Sequence, residues 1–311
     1  MIIKKIHQAF LAGIFPLASF IIFFIFIRFL GKCEWNDPIV WITVGIQLCI
    51  ALSLLYLTQT FSIIRERSFL PAIFYLLLIG TNTDSYLNWA GSLYVLGVLI
   101  CFYLLFQAYQ NPVSQSISFG ISAVLTLGSL KWPLLILLVP VFWYGFVRFR
   151  SFNLKVVFAG IIGILFVHLL FFSGFVYTDN LSGWKEISIS NFSAFRIYLF
   201  NLELRDSLIL SYMLVLFILS GTNIYIAGIS EKIKTITILS YLFVFAVFVS
   251  IFLMLFNQSE NEWINILYLP FSLVVSHFFT LIWRKWTFWL LIFTILFFLA
   301  MFIWQVYFPG L

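Results

Sequence analysis

Charged residues are scarce in this chain of 311 residues, where Asp, Glu, Lys and Arg together make up 9%. Soluble domains carry about 25% charged residues, so a water-exposed surface is excluded for most of the chain. The longest polar stretch, 179–206, is too short to fold as a soluble domain. Only three cysteines are present, and Cys49 and Cys101 fall within apolar runs, which excludes a disulfide framework.

The motifs of several kinds of chemistry are absent as well. The chain has no Walker A loop, no GxGxxG after a strand, no CxxC pair and no HExxH. Its histidines, His7, His168 and His277, are far apart and show no metal-ligand spacing. The formal net charge is +6, but no basic face with interleaved aromatic residues lies outside the apolar runs, which argues against nucleic acid as a partner.

Apolar residues make up 63% of the chain and fall into eleven runs with short polar breaks. About 20 apolar residues in a helix cross a hydrocarbon core of about 30 Å. The sequence therefore predicts an all-α, polytopic transmembrane helical bundle of about 11 spans, forming a single integral membrane domain over 1–311 in contact with the lipid bilayer. The predicted spans are 10–30, 38–60, 69–80, 90–109, 116–130, 132–149, 156–177, 207–227, 236–256, 263–283 and 287–307.

Two features of these runs bear on how the chain enters the membrane. The first run is longer than the apolar core of a signal peptide and no small-residue cleavage site follows it, so we expect it to be retained as a span. The run 69–80 and the pair within 116–149 are short. For these the sequence leaves full crossing and re-entry both open.

The distribution of basic residues predicts the orientation. Eleven of the 17 Lys and Arg residues fall in connections on the side of the N-terminus, and five fall in connections on the other side. The positive-inside rule then places the N-terminus inside and the C-terminus outside. In the external segment 179–206, Phe192, Phe195, Leu199 and Leu202 recur at helical spacing, which predicts an amphipathic surface helix. A loop helix that packs on the bundle is the alternative.

Polar residues within the apolar runs are candidates for function. His168 and His277 lie in mid-span, where an ionisable group points to a binding site, so both are candidate substrate-binding residues. A neutral histidine donating to a backbone carbonyl of a neighbouring helix is the alternative. Gln47 is interpreted as an interhelical hydrogen-bonding residue.

The most specific local pattern lies between residues 69 and 155. A short run is followed by Asp84 and a full span, and then by a helix with Gly120 and Gly128 that reaches Lys131-Trp132-Pro133. An outer acid before a span, followed by such a helix, resembles the shared core of GT-C glycosyltransferases. The resemblance implies a polyprenyl-phosphate-linked sugar as substrate at the outer membrane surface. It also implies that the acids Asp84, Glu34 and Asp37 act as base or hold a divalent cation, and that Lys131 pairs with the donor phosphate.

Residues 60–170 resemble a second family more closely. Arg65-Glu-Arg67-Ser-Phe-Leu-Pro71, Pro140 and the exit Arg148-Phe-Arg150-Ser-Phe152 are similar to an uncharacterised family of Bacteroidetes polytopic inner-membrane proteins, a domain of unknown function. That resemblance implies no established activity.

Three functions therefore remain open. They are GT-C-like handling of lipid-linked glycans in the cell envelope, a non-enzymatic scaffold or subunit in complex with other membrane proteins, and a transporter. Paired broken helices would favour the transporter, and the sequence shows only one candidate break, near Lys131.

Overall fold

The computed structural model describes residues 14–30, 37–64, 68–82, 88–179, 195, 204–227, 232–256, 260–281 and 285–307. These residues form eleven α-helices, one for each predicted apolar run, and one 3₁₀-helix over Pro133–Leu137. The helical class predicted from the sequence is confirmed. The helices are α1 (Ile14–Leu30), α2 (Pro38–Thr60), α3 (Leu70–Thr81), α4 (Trp89–Gln107), α5 (Gln115–Ser129), α6 (Leu138–Arg148), α7 (Leu154–Tyr177), α8 (Leu204–Ala227), α9 (Ile233–Leu255), α10 (Glu260–Leu281) and α11 (Lys285–Tyr307).

Seven of the described helices are long and apolar enough to cross a membrane, namely α2, α4, α7, α8, α9, α10 and α11. Helix α3 has 12 residues, which gives about 18 Å of helix and is shorter than the hydrocarbon core. The predicted amphipathic helix, apart from Phe195, and most of the segment 179–206 predicted to be external lie outside the described residues. The chain is therefore a multi-pass membrane protein with seven candidate spans among its described residues.

Short polar signals set the ends of several helices. Asp37 caps α2, because its Oδ1 accepts a hydrogen bond of 2.9 Å from the Ile39 amide, and Pro38 occupies the first helical position. Asn153 caps α7 in the same way through the Val156 amide. The break predicted near Lys131 is present, since α5 ends at Ser129 and the 3₁₀-helix begins at Pro133.

Contacts divide the chain into two compact units. Unit 1 consists of residues 1–95, 201–250 and 261–311, and unit 2 consists of residues 96–200 and 251–260. Each unit has its own buried helices, which the next paragraphs describe separately.

The interior of unit 1 is built around α3 and α10. Every residue of α3 is buried, and 94% of the spanning part of α10 is buried. The two helices meet where Phe74 stacks on Phe279, with ring centroids 5.7 Å apart. Phe217 of α8 stacks on Phe243 of α9 at 4.6 Å and on Phe271 of α10 at 6.4 Å. Aromatic contacts thus link α3, α8, α9 and α10.

In unit 1, two contacts join the ends of helices that are far apart in the sequence. Thr235, at the start of α9, donates a hydrogen bond of 3.3 Å to the carbonyl of Ser62, just after α2. Asn88, just before α4, contacts Glu262 in the first turn of α10. The predicted alternation places the first pair on the inner side and the second pair on the outer side. Each contact thus joins two helix ends that the predicted alternation places on the same side.

In unit 2, small residues bring α5 and α7 close together. A Cβ atom added to Gly163 of α7 would lie 2.7 Å from the backbone oxygen of Phe119 in α5. Beside this contact, the Ser118 hydroxyl donates a hydrogen bond of 2.7 Å to the carbonyl of Val156. Such close approach and interhelical hydrogen bonding are typical of helix pairs in membranes.

Candidate functional site

A chain of hydrogen bonds in unit 1 runs from α2 through the start of α4 to α10. Gln47 is fully buried and donates from Nε2 to the Ser92 hydroxyl over 3.1 Å. Ser92 donates over 3.2 Å to the carbonyl of Asn88, whose Nδ2 donates over 3.5 Å to Glu262 Oε1. The interhelical hydrogen bond predicted for Gln47 is confirmed. The network therefore positions a carboxylate at the predicted outer end of α10.

Both the oxygen and the nitrogen of the Asn88 side-chain amide make hydrogen bonds. Its Oδ1 accepts a hydrogen bond of 2.7 Å from the Gly91 amide, and its Nδ2 faces Glu262. Glu262 itself lies in the first turn of α10. A carboxylate there interacts favourably with the positive end of the helix dipole. The site therefore combines an oriented amide with a carboxyl group at the start of a candidate membrane span.

A second group of polar residues in unit 1 lines a small pocket at the end of α3. Its lining includes Thr81 and Asn82 from the end of α3, Asp206 from the first turn of α8 and Tyr268 from α10. Thr81 and Asn82 are both buried. The pocket measures about 10 Å³. This is about the room that one water molecule needs, so the pocket does not accommodate a sugar.

In the sequence, one residue from each of these polar groups flanks the segment that carries the predicted catalytic acid. Asn82 precedes and Asn88 follows the residues 83–87, which include Asp84. Asp84 and Glu34 lie outside the described residues. Asp37 is described and caps α2. The roles predicted for these acids, as base or as ligands of a divalent cation, stay predictions.

The predicted substrate-binding residues occupy different environments. Lys131 is exposed in the turn between α5 and the 3₁₀-helix, and His168 is exposed on α7. His277 is buried within α10, with 2% of its surface exposed, and neither ring nitrogen has a hydrogen-bond partner among the described residues. The alternative in which His277 donates to a neighbouring carbonyl is therefore not observed among them.

Other polar residues follow one face of α10 but do not connect Glu262 with His277. The hydroxyl groups of Ser272, Ser276 and Thr280 each donate to a carbonyl three or four residues earlier in α10. Each of these hydroxyl groups therefore already donates its hydrogen bond within α10. We interpret this face as a way of burying polar residues in a central helix rather than as a path for protons.

The described residues contain no group of three or more His, Cys, Asp or Glu side chains that could hold a metal ion. The divalent cation that the GT-C resemblance implies therefore has no cluster of three such ligands among them. Two of the acids predicted for that role, Glu34 and Asp84, lie outside this part of the chain.

Sequence reasoning missed four residues that the structure brings into the two polar groups. Asn82 and Asn88 flank Asp84, and this pair of amides on either side of a short connection was a signal that could have been used. Asp206 and Glu262 come from distant parts of the chain and carried no local signal beyond their charge at the start of an apolar run.

No family model, no curated protein and no solved structure matches this chain. The seven long apolar helices define an integral membrane protein in contact with the lipid bilayer.

Proposed function

We propose that the protein acts on polyprenyl-phosphate-linked glycans of the cell envelope at the outer surface of the bacterial inner membrane. In this proposal, acidic residues in the outer connections carry the chemistry, as in GT-C glycosyltransferases. One observation supports the proposal most. The segment carrying Asp84 is flanked in the sequence by Asn82 and Asn88, and each of these amides belongs to a polar group of unit 1, Asn88 with Glu262 and Asn82 with Asp206. Asp84 therefore lies within a few residues of two polar groups.

The proposed reaction is transfer of a sugar from the lipid phosphate to an acceptor hydroxyl. Asp84 takes the proton of the acceptor hydroxyl, and the oxygen of that hydroxyl forms a bond to the anomeric carbon of the sugar. The bond between that carbon and the phosphate oxygen breaks, and the polyprenyl phosphate leaves with the electron pair. Asn88 and Glu262 are proposed as positioning residues beside the reacting segment. The pairing of Lys131 with the donor phosphate stays a sequence prediction.

The test uses purified protein in proteoliposomes supplied with polyprenyl phosphate carrying a radiolabelled sugar, and measures label released from the lipid. Asp84→Asn keeps the size of the side chain and removes the base, so the rate should fall by about 10²–10⁴-fold. Asp179→Asn is the matched control, because Asp179 is an exposed acid after α7, and it should leave the rate unchanged. A full rate in Asp84→Asn would contradict the proposal.

The variant Asp37→Asn distinguishes a catalytic role of Asp37 from its structural role as the cap of α2. Asparagine caps helices as well as aspartate does, so Asp37→Asn should preserve α2. An unchanged rate in this variant would assign Asp37 to capping alone. A loss comparable to that of Asp84→Asn would place it in the reaction.

A second candidate function is that of a subunit in a membrane complex, and α7 favours it. Only 22% of the spanning part of α7 is buried, and its exposed surface includes His168 near the middle of the helix. An ionisable side chain facing lipid at that depth is costly, which a partner helix with a hydrogen-bonding group would relieve.

This candidate is tested by photo-crosslinking in the membrane. A photoreactive residue replaces Leu169, which is 65% exposed beside His168, and the control replaces Tyr56 of α2, which is 59% exposed. A subunit should give a discrete crosslinked protein from position 169 that His168→Leu abolishes. Lipid adducts alone at both positions would count against the complex.

A further inference from the structure

The connection between α6 and α7 places basic residues at the predicted inner end of unit 2. Arg148 ends α6, Arg150 lies in the connection, and Lys155 lies in the first turn of α7, and all three side chains are exposed. Among residues 96–179, which are all described, the only acid is Asp179, just beyond the other end of α7. The 24 residues of α7 separate its two ends by about 36 Å. No acid of this part of the chain therefore balances the three positive charges.

Large apolar side chains share this exposed edge with the cations. Val147, Phe152 and Leu154 are all exposed, and Leu154 is 72% exposed. Exposed cations next to exposed apolar side chains are typical of surfaces that bind at the boundary between lipid head groups and acyl chains. We call the exposed residues of this stretch the 147–155 surface, which consists of Val147, Arg148, Arg150, Phe152, Leu154 and Lys155.

The backbone gives Arg150 an unusual position at the end of α6. The Arg150 amide donates a hydrogen bond of 3.2 Å to the carbonyl of Val147, and the Ser151 amide donates one of 3.0 Å to that of Phe146. These two bonds form a Schellman motif, and Arg150 adopts its left-handed conformation with a φ of 56°. Glycine is the usual residue there, because it has no Cβ to clash. The chain thus carries a cation where glycine would cost less.

The connection between α4 and α5 holds this loop in place. The Gln110 amide donates a hydrogen bond of 3.0 Å to the carbonyl of Phe149, and the Ser114 hydroxyl donates one of 2.9 Å to that of Ser151. Both bonds join the two connections on either side of Arg150. The loop is therefore fixed before it meets a ligand, and binding orders little additional backbone.

We propose that the 147–155 surface binds the head groups of anionic phospholipids, with phosphatidylglycerol as the probe. The three cations bind the phosphates, and the exposed apolar side chains enter the acyl boundary beside them. Orientation in the membrane requires only basic residues somewhere in a connection, so it does not account for an arginine at a position that favours glycine. The proposal goes beyond the glycan reaction and the membrane complex and depends on neither.

The first experiment measures the unfolding temperature of the purified full-length protein in micelles of a nonionic detergent. Phosphatidylglycerol is titrated against phosphatidylcholine with the same acyl chains. Phosphatidylglycerol should raise the temperature with saturation, and its half-saturating concentration should increase with NaCl, because salt screens the attraction. Equal responses to the two lipids would overturn the proposal and leave an acidic protein as the partner of this surface.

Inorganic phosphate separates a lipid site from a site for a free anion. It carries negative charge but no acyl chains, so it should not raise the unfolding temperature at concentrations at which phosphatidylglycerol saturates. Saturation by inorganic phosphate in the same range would overturn the assignment to lipid.

The variant Arg150→Gly separates binding from folding. Without phospholipid its unfolding temperature should not fall, because glycine relieves the left-handed conformation. With phosphatidylglycerol its half-saturating concentration should rise about fivefold, the effect of one cation near an anionic membrane surface. Lys155→Gln should have the same effect, and the double variant should need about 25-fold more lipid. If Arg150→Gly does not fold, Lys155→Gln decides alone. A wild-type response in Lys155→Gln or in the double variant would refute the assigned surface.

Two control variants match these changes. Gln110→Gly replaces another left-handed residue, with a φ of 56°, at the same end of unit 2 and leaves the charge unchanged. Lys232→Gln removes an exposed cation of unit 1 on the predicted inner side. Both should respond to phosphatidylglycerol as the wild type does. A fivefold loss in either would assign the response to loop conformation or to net charge, and would overturn the proposal. Because no polyprenyl lipid is present in these measurements, their failure leaves the glycan proposal untouched, and the sugar-transfer assay can fail without affecting this one.

Discussion

The contact between α5 and α7 offers the sharpest test of packing, through Gly163→Ala. The new Cβ would lie 2.7 Å from the Phe119 backbone oxygen and 3.4 Å from the Ala123 backbone nitrogen. Backbone atoms cannot rotate away as a side chain can, so the two helices must move apart by several tenths of an ångström. The adjacent hydrogen bond from Ser118 to the Val156 carbonyl, now 2.7 Å, would lengthen with them.

Three terms set the size of the effect. Overpacking costs about 1–3 kcal/mol, and weakening an interhelical hydrogen bond in a membrane costs about 0.6 kcal/mol. Replacing glycine by alanine within a helix offsets about 1 kcal/mol of this. We therefore expect the free energy of unfolding to fall by about 0.6–2.6 kcal/mol in Gly163→Ala.

Gly174→Ala is the matched control, because it lies on the same helix and its Cβ would meet no atom within 4 Å. It should be neutral or stabilising by up to about 1 kcal/mol. Both variants are compared with the wild type by SDS titration in mixed micelles, with tryptophan fluorescence as the signal. If Gly163→Ala is as stable as Gly174→Ala, the close approach of α5 and α7 is refuted.

Three further predictions use simpler changes. Tyr212→Phe removes a hydroxyl that lies 2.9 Å from Thr294 Oγ1 between α8 and α11, and should lower the free energy of unfolding by about 0.6 kcal/mol in the SDS titration. His277→Leu should raise the unfolding temperature, since a buried polar group without a hydrogen bond costs about 1–3 kcal/mol; a decrease would reveal a partner outside the described residues. A reporter active only in the cytoplasm, fused after Leu311, should be silent, and a strong signal would reverse the predicted orientation.

The helices were predictable where local residues mark them. The predicted run 38–60 coincides with α2, because Asp37 supplies the cap and Pro38 the first helical residue. The break near Lys131 was predictable for a similar reason, since Pro133 has no amide hydrogen to continue α5. In these places the controlling interactions lie within a few residues of one another.

The candidate site was less predictable, because its contacts join distant parts of the chain. Asn88 and Glu262 are 174 positions apart, so their contact depends on the packing order of the helices. Burial was in part predictable from polarity. Helix α10 is less apolar than α7 and is almost wholly buried, whereas α7 is largely exposed. Polar residues such as Asn265 are costly in lipid and favour an interior position.

The shortness and complete burial of α3 bear on how the protein is made. Twelve residues do not hold a helix across a bilayer by themselves, and Phe74 of α3 stacks on Phe279, which is synthesised about 200 residues later. Helix α11, which also packs on α3, comes later still. At about 5–20 residues per second the ribosome needs about 10–40 s to deliver these partners. During biogenesis α3 can pack on α1 and α2 as soon as it is made, but its complete burial requires the last two helices as well.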